Sequence, residues 1–312
     1  MNGRALIYGT IAIDTLLTPS GQADRVPGGS GPYAALAARL VTDRLDLVGV
    51  VGDDYPDAFR ERFEAQGVSF RHVSRIPGKT FAWTARYEQD MNQRQSLSTE
   101  EGVQEVWRMD LPPSLRNPSV AVACNVTPRL QTVMLEQCSA AGFTMADFME
   151  SWILRERAYV DALLARVDLA LMNDSEACCF AGTGDVPAAG LRLLEAGPRY
   201  AIVKHGSAGS TLFQRASDGS VHLFRLPAWP LLHTEDPTGA GDAYMGALAG
   251  WLTCCPHPEA PSLPDLRRGM ALATIVAAAT CESFGPDGLL ALTREEMMQR
   301  LHRFHDMTNW EL

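Results

Sequence analysis

The fold is constrained most by the alternation of short apolar runs with segments of helical periodicity. Six runs have the length and composition of buried strands: 5–13, 45–52, 120–126, 142–149, 167–172 and 199–206. Apolar residues recur at helical spacing in the segments between them, at 32–41, 57–67, 128–142 and 153–167. This alternation predicts an α/β fold with a mostly parallel sheet flanked by helices on both faces. The binding sites of such sheets lie at the carboxyl ends of the strands.

Two segments interrupt the alternation, at residues 14–27 and 79–99. The second has the pattern of a β-ribbon. Phe81, Trp83, Ala85 and Tyr87 occupy alternate positions, as on one face of a strand. Both segments leave the predicted sheet near its carboxyl end. We therefore expect them to form a small β lid over the site, within a single domain that spans residues 1–312.

Composition excludes several classes of protein. A formal net charge of −10 argues against a general binder of nucleic acid or of anionic membranes. No apolar run approaches the roughly 18 residues that a transmembrane helix needs, and the N-terminal residues lack the apolar core of a signal peptide. The seven cysteines include no C-x-x-C pair, which predicts reduced thiols and a cytoplasmic protein.

The most informative segment spans residues 233–252. One interpretation is an ordinary helix start, with Asp236 as the N-cap residue and Asp242 complementing the helix dipole. That interpretation leaves Gly239 and Gly241 unexplained, since each glycine in a first turn costs about 1 kcal/mol relative to alanine. Glycines are useful there if a ligand approaches the backbone closely. The exposed N–H groups of a helix N-terminus then form an anion site.

An aspartate beside a phosphate site repels the phosphate, so the position of Asp242 is unusual for a binding residue. The position suits a general base that accepts the proton of a hydroxyl attacking phosphorus. The pattern thus favours phosphoryl transfer. No Walker A motif is present, which argues against a P-loop kinase.

The run Asp-Pro-Thr-Gly-Ala-Gly-Asp at 236–242, followed by Ala-Tyr-Met-Gly-Ala, resembles the C-terminal signature of the ribokinase/PfkB family of sugar and nucleoside kinases. Segments 28–31, 51–54 and 204–209 resemble further parts of that family. The resemblance implies a ribokinase-like three-layer fold. It also implies an ATP-dependent kinase that phosphorylates a hydroxymethyl group of a sugar or sugar-like molecule. A nucleoside acceptor is the alternative, and a non-catalytic sugar- or nucleotide-binding relative is a further one.

The resemblance assigns catalytic roles to the same segment. Asp242 is the implied catalytic base, and the N–H groups of Gly239, Ala240 and Gly241 are the implied anion hole for the transferred group. Family members often carry a potassium ion beside this loop. Here Asp236 and Thr238 are the candidates for holding K⁺, with weaker candidates in the late loop at 283–285.

The segment Asn173-Asp-Ser-Glu176 follows an apolar run and has two interpretations. The residues form a capping-box-like pair at a helix start. They also match an Asn-x-x-Glu motif which, by resemblance, contacts the nucleotide and holds Mg²⁺, with Glu176 acting through water. The resemblance further implies that Lys204, Gly206 and Gly209 approach the nucleotide, although the two glycines also suit an ordinary turn.

The acceptor end begins at Asp14, which we expect at the carboxyl end of the first strand. A carboxylate offers two acceptor oxygens to a vicinal diol, and by resemblance Asp14 binds acceptor hydroxyls while Gly28 and Gly29 allow close approach. Tyr33 stands where ribokinase-like members have an asparagine, so it either stacks on a ring or supplies a hydroxyl. Asn125 is a further pocket candidate.

Asp147 also ends a predicted strand and is another candidate for the pocket, with Arg86 and Asn92 as weaker candidates in the lid. The expected partner is a small sugar or nucleoside. Family members often dimerise through the lid, and the aromatic residues of the 79–99 ribbon would suit a homodimer interface as well as a cover for a ligand.

Overall fold

The computed structural model describes residues 3–91, 94–216 and 218–309. The strands of this part of the chain are β1 (Ala5–Tyr8), β2 (Ala12–Thr18), β3 (Gly21–Gly28), β4 (Leu45–Val51), β5 (His72–Arg75), β6 (Phe81–Tyr87), β7 (Arg94–Glu100), β8 (Val120–Ala123), β9 (Phe143–Asp147), β10 (Leu169–Asn173), β11 (Tyr200–Lys204), β12 (Ser210–Arg215) and β13 (Val221–Leu226).

The helices of the described residues are α1 (Ser30–Arg39), α2 (Asp57–Ala65), α3 (Val103–Val106), α4 (Pro128–Gln137), α5 (Glu150–Arg155), α6 (Arg157–Leu164), α7 (Asp174–Ala181), α8 (Val186–Glu195), α9 (Ala240–Cys254), α10 (Leu263–Thr280), α11 (Asp287–Ala291) and α12 (Arg294–Thr308). None of the helices in the described ranges is both long and apolar enough to cross a membrane.

A nine-stranded sheet forms the centre of the molecule, in the order β13-β12-β11-β10-β9-β8-β1-β4-β5. Seven neighbouring strands of this sheet are parallel, namely β11, β10, β9, β8, β1, β4 and β5. Strands β12 and β13 continue the sheet beyond β11 as antiparallel strands. Strands β1 and β8 are buried at every residue, as expected of parallel strands covered on both faces. The prediction of a mostly parallel sheet flanked by helices is confirmed.

Each face of the sheet carries its own apolar core because side chains alternate along a strand. Ile7 and Val122 pack with residues of α1, α9 and α10 on one face. Leu6 and Ala121 pack with residues of α4, α6 and α8 on the other. The three layers therefore hold the carboxyl ends of the strands at fixed positions.

A second sheet of four strands has the order β3-β2-β6-β7. It is built from the two segments that the sequence analysis set apart. Strands β2 and β3 form an antiparallel hairpin, β6 and β7 form the ribbon, and β2 joins the two by parallel pairing with β6. Every residue of β7 is exposed.

Two predicted elements were wrong in their extent. The run 5–13 is divided between β1 and β2, which belong to different sheets. The chain leaves the large sheet at Gly9, where a side chain would overlap the backbone of Gly31. The predicted helix 153–167 is two helices, α5 and α6, separated by Glu156, whose φ of −127° is not helical.

Candidate active site

The first turn of α9 lies at one wall of the site. The helix begins at Ala240, and Gly239 precedes it in the left-handed conformation with φ of 78°. Asp236 is not its N-cap residue, so that interpretation was wrong. Instead the Asp236 carboxylate is fully buried and accepts hydrogen bonds from the N–H groups of Thr238 and Gly285. It thus ties the loop before α9 to the loop after α10.

The glycines of this turn have structural reasons that the sequence did not reveal. A Cβ on Gly239 would lie 2.4 Å from a ring carbon of Tyr33, and one on Gly241 would lie 3.0 Å from Lys204 Nζ. The positive φ of Gly239 also favours glycine. Close packing by Tyr33 and Lys204 therefore explains both glycines without a ligand. Approach of a ligand would be an additional reason for them.

Two of the three predicted anion-hole donors remain available. The Ala240 N–H donates to the Pro237 carbonyl at 3.2 Å, whereas the residues that the structure describes provide no such acceptor for the N–H groups of Gly239 and Gly241. Free N–H groups at a helix N-terminus carry partial positive charge. The turn can therefore accept an anion through fewer donors than the sequence analysis expected.

Asp242 lies inside this site with an unused oxygen. The side chain is in the first turn of α9, and its Oδ1 is buried without a hydrogen-bond partner in the described chain. Burial and the charge of Asp147 raise the pKa of Asp242 to about 7, although Lys204 and Arg94 oppose the shift. A carboxylate with such a pKa is suited to accept a proton near neutral pH.

Lys204 is the cation at the centre of the site. It ends β11, and its Nζ lies 2.7 Å from Asp147 Oδ1 at the end of β9. Burial works against the charged form, but Asp147 and Glu176 outweigh it and the pKa of Lys204 is raised. Because Lys204 Nζ also lies against Gly241, its ammonium group is next to the N–H groups of the first turn of α9.

Asn173 and Glu176 form the capping box that the sequence suggested. Asn173 Oδ1 accepts from the Glu176 N–H at 2.8 Å, and Glu176 Oε2 accepts from the Asn173 N–H at 2.7 Å. Glu176 is nonetheless buried beside the same charges, and burial and Asp147 raise its pKa against the effect of Lys204. The cap holds this carboxyl group rigidly at the edge of the site.

The turn after Lys204 offers less evidence of a ligand. Gly206 and Gly209 both have positive φ, and a Cβ on Gly209 would lie 2.0 Å from the Leu226 carbonyl of β13. The conformation and packing of the turn therefore account for Gly209. Nucleotide contact at this turn stays a prediction.

Asp14 is in β2 rather than at the end of the first strand. Its carboxylate lies so close to Gly28 that a Cβ there would be 1.9 Å from Oδ2, and it accepts a hydrogen bond from the Gly29 N–H. Burial raises the pKa of Asp14 to about 8; the Gly29 bond lowers it, and Asp236 and Asp242 raise it. The two glycines thus position this carboxylate.

Unpartnered polar atoms gather around the acceptor end. Asp14 Oδ1, the Tyr33 hydroxyl and Asn125 Oδ1 are buried, and no residue within the described ranges hydrogen-bonds to them. The charges of Asp236, Asp14 and Asp242 act on Tyr33 and add to the burial that raises its pKa. Buried polar groups normally have partners, so these atoms are available to bind a polar ligand.

Sequence reasoning missed three residues of the site region. The hydroxyl of Tyr55 is buried without a partner in the described chain, and burial and the charge of Asp14 raise its pKa. Thr238 Oγ1 donates to the Tyr87 hydroxyl at 3.0 Å, which joins the ribbon to the loop before α9. The charge of Arg94 acts on Asp242 and Glu176. No motif signals these contacts, because they depend on how the second sheet is placed.

Of the two weaker lid candidates, Arg86 was not brought into the site. Arg86 is exposed on β6, next to the buried Tyr87 and therefore on the opposite face of the ribbon. Asn92 lies outside the described residues.

A base beside helix N–H groups and a lysine is what a phosphotransferase acting on an alcohol requires. A model of the pfkB family of carbohydrate kinases matches residues 6–290. The chain therefore belongs to the pfkB family of carbohydrate kinases. It is an enzyme that transfers a phosphoryl group to an alcohol.

One relative shares sequence with the chain, and two solved structures share its fold. The chain is 28% identical over 253 residues to the cytidine kinase of Thermococcus kodakarensis, covering 79% of this chain and 87% of the relative. The nucleoside kinase of Burkholderia thailandensis with inosine shares the fold at 20% identity, with a TM-score of 0.78 and coverage of 98% and 99%. The ribokinase of Arabidopsis thaliana, complexed with ribose and ATP, is 18% identical with a TM-score of 0.76 and coverage of 96% and 99%. The ribokinase-like fold is confirmed.

Proposed function

We propose that the protein transfers the γ-phosphoryl group of ATP to a hydroxymethyl group of a ribose-like sugar. The observation that carries the proposal is the pair of unused carboxylate oxygens, Asp14 Oδ1 and Asp242 Oδ1, which are both buried near one another's charge. The Asp14 carboxylate suits the ring hydroxyls of the acceptor, and the Asp242 carboxylate suits the hydroxyl that reacts.

The residues divide the reaction between them. Asp242 accepts the proton as the acceptor oxygen forms its bond to the γ-phosphorus, and the bond to the leaving ADP oxygen breaks with its electron pair on ADP. The N–H groups of Gly239 and Gly241 and the ammonium group of Lys204 stabilise the negative charge of the transferred group. Electrostatic stabilisation of this kind is the main contribution in phosphoryl transfer.

Mg²⁺ fits the charge of the site. Asp147, Glu176 and Asp242 bring three carboxylates against two cations, Lys204 and Arg94, so the charge of the site would still suit a further cation once phosphates enter. When bound, the ion would neutralise charge on the nucleotide phosphates. Glu176 would hold it through water, and Asn173 would face the nucleotide. Asp236 and Thr238 are the proposed residues for K⁺.

A nucleoside is the second candidate acceptor. It presents the same hydroxymethyl group on the same sugar, so Asp14 and Asp242 would act on it in the same way. Similarity to a cytidine kinase over most of both chains favours this candidate. The unpartnered Asn125 amide oxygen could accept a hydrogen bond from either kind of acceptor.

An acceptor panel tests the proposal. ADP formation would be measured with ATP, Mg²⁺ and each of ribose, fructose, cytidine, inosine and adenosine, and the product position would be determined by phosphorus NMR. We expect phosphorylation of a primary hydroxyl in at least one case. Turnover of none of these acceptors, with ATP binding intact, would contradict the proposal and favour a non-catalytic relative.

Glu176→Gln separates the metal role from the capping role. The amide oxygen can still accept from the Asn173 N–H, so the melting temperature should change little. Loss of the charge should raise the Mg²⁺ concentration for half-maximal activity by about tenfold, since removing a metal's outer-shell partner typically costs 10–100-fold in affinity. Activity would be titrated with Mg²⁺ at fixed ATP.

Asp265→Asn is the matched control for this variant. Asp265 occupies the same position in the capping box that starts α10, where it pairs with Ser262. The control should leave the Mg²⁺ titration unchanged. A lower melting temperature for Glu176→Gln with an unchanged titration would leave only the capping role.

The second sheet is the proposed lid. The bond between Tyr87 and Thr238 supports closure of the ribbon onto the phosphate end. Leu97 is exposed on the edge strand β7 and is a candidate contact for a homodimer. All seven cysteines lie in the described ranges and are free thiols, which supports the proposal of a cytoplasmic enzyme.

A further inference from the structure

Arg94 is an arginine of the ribbon that faces the proposed phosphate site. It starts β7 and is paired directly with Tyr87 of β6. Directly paired residues lie on the same face of a sheet. Tyr87 is buried on that face and bonds to Thr238. Arg94 is therefore on the face that the ribbon turns toward the first turn of α9.

Two ribbon residues hold its side chain in place. The Arg94 side chain hydrogen-bonds to Tyr87, whose hydroxyl also accepts from Thr238. The guanidinium carbon lies 5.6 Å from the centre of the Trp83 ring, in cation–π range. Trp83 is itself fixed by a 3.0 Å hydrogen bond from its indole N–H to Ser96. These contacts restrain a long side chain that would otherwise be mobile.

The charge of Arg94 is not used by a salt bridge. Within residues 3–91, 94–216 and 218–309, no carboxylate oxygen lies within 4 Å of its guanidinium. Its charge nevertheless lowers the pKa of both Asp242 and Glu176. The residue is also solvent-exposed, so a ligand can reach it.

We propose that Arg94 binds the phosphoryl group during its transfer. The inference rests on the proposed kinase function. The guanidinium offers several donors in one plane, which suits the equatorial oxygens of a phosphoryl group. It approaches from the ribbon, whereas Lys204 and the N–H groups of α9 approach from the large sheet. Tyr87 is the positioning residue that holds Arg94.

The charges around Arg94 agree with this placement. Tyr87, Glu176 and Asp242 raise the pKa of Arg94 against the effect of desolvation. A cation that is already restrained and is not paired in a salt bridge needs no reorganisation to interact with a developing negative charge.

Arg94→Gln tests the inference. With the best acceptor of the panel, we expect kcat to fall at least about 100-fold, as for removal of one oxyanion donor. ADP affinity, measured by calorimetry, should change less than threefold. Affinity for ADP with aluminium fluoride, acceptor and Mg²⁺, which mimics the transferred group, should fall in proportion to kcat. Tyr87→Phe should show a smaller loss of the same kind.

Arg86→Gln is the matched control, because it removes the same charge from the opposite face of the ribbon. It should retain wild-type kcat. Arg94→Ala should regain activity with added guanidinium, which a merely structural role would not show. Near-normal kcat for Arg94→Gln in an active enzyme would overturn the inference alone. Inactive wild-type protein on every acceptor would instead contradict the proposed kinase function.

Discussion

Asp242→Asn is expected to lower kcat by at least about 100-fold, the smallest effect typical of a positioned general base. The amide keeps the shape of the side chain but cannot accept the proton of the attacking hydroxyl. ADP binding should change little, because the N–H groups of α9 and Lys204 remain. Initial rates at saturating ATP and acceptor, together with calorimetry for ADP, would measure both effects.

The pH dependence of the wild-type enzyme gives a second test of the same role. The pKa of Asp242 is raised to about 7, and only the ionised form acts as a base. We therefore expect kcat, measured at saturating acceptor, to fall as pH decreases through about 7. Asp287→Asn, at the first turn of α11 and exposed, should leave both the rate and the profile unchanged. Loss of less than fivefold in Asp242→Asn would remove Asp242 from the role of base.

The layout of the large sheet could be predicted from the sequence because its physical cause is local. Parallel strands buried on both faces are short apolar runs, and the helices between them show their own periodicity. The division of residues 5–13 between two sheets could not be predicted in this way. Both halves are apolar and both are buried, and the change of direction at Gly9 depends on packing against Gly31.

Some candidate site residues could also be identified because local sequence patterns mark them. Asp242, Asn173 and Glu176 stand beside glycines or caps that mark helix starts in the sequence, and Asp14 is a carboxylate that follows an apolar run, although it lies within β2 and not at a strand end. Arg94 has no such mark. Its position depends on the register of the ribbon and on the contact of Tyr87 with Thr238, which are separated by 151 positions. Long-range placement of this kind is set by tertiary packing, which a local pattern does not encode.

Asp14→Asn should separate binding of the acceptor from stability of the protein. Loss of a charged hydrogen-bond acceptor for two ring hydroxyls should raise the acceptor KM about 100-fold, because bonds to charged groups contribute about 1.5–3 kcal/mol each. The KM for ATP should remain within about threefold. Asp24→Asn, in the same hairpin and bonded to Thr15, is the control and should alter neither KM.

Asp14→Asn should weaken acceptor binding but increase the stability of the ligand-free protein. The pKa of Asp14 is raised to about 8 in the folded protein, above the value of about 3.9 for an unfolded chain. The protonated carboxyl therefore contributes stability that is complete below about pH 4 and is lost as the pH rises through about 8. The amide that replaces this carboxyl cannot ionise, so the Asp14→Asn variant should gain melting temperature over the ligand-free wild type between pH 5 and pH 9.

The two measurements together distinguish a binding residue from a structural one. A carboxylate kept for the acceptor is destabilising in the empty site, so its replacement should stabilise the ligand-free protein and weaken acceptor binding together. A structural carboxylate, held by the Gly29 N–H alone, would lose stability when replaced and leave the acceptor KM unchanged. Acceptor affinity of the wild type should also rise with pH up to about 8, since the ionised form accepts two hydroxyl hydrogen bonds. A flat affinity profile with an unchanged acceptor KM would contradict the assignment of Asp14 to the acceptor.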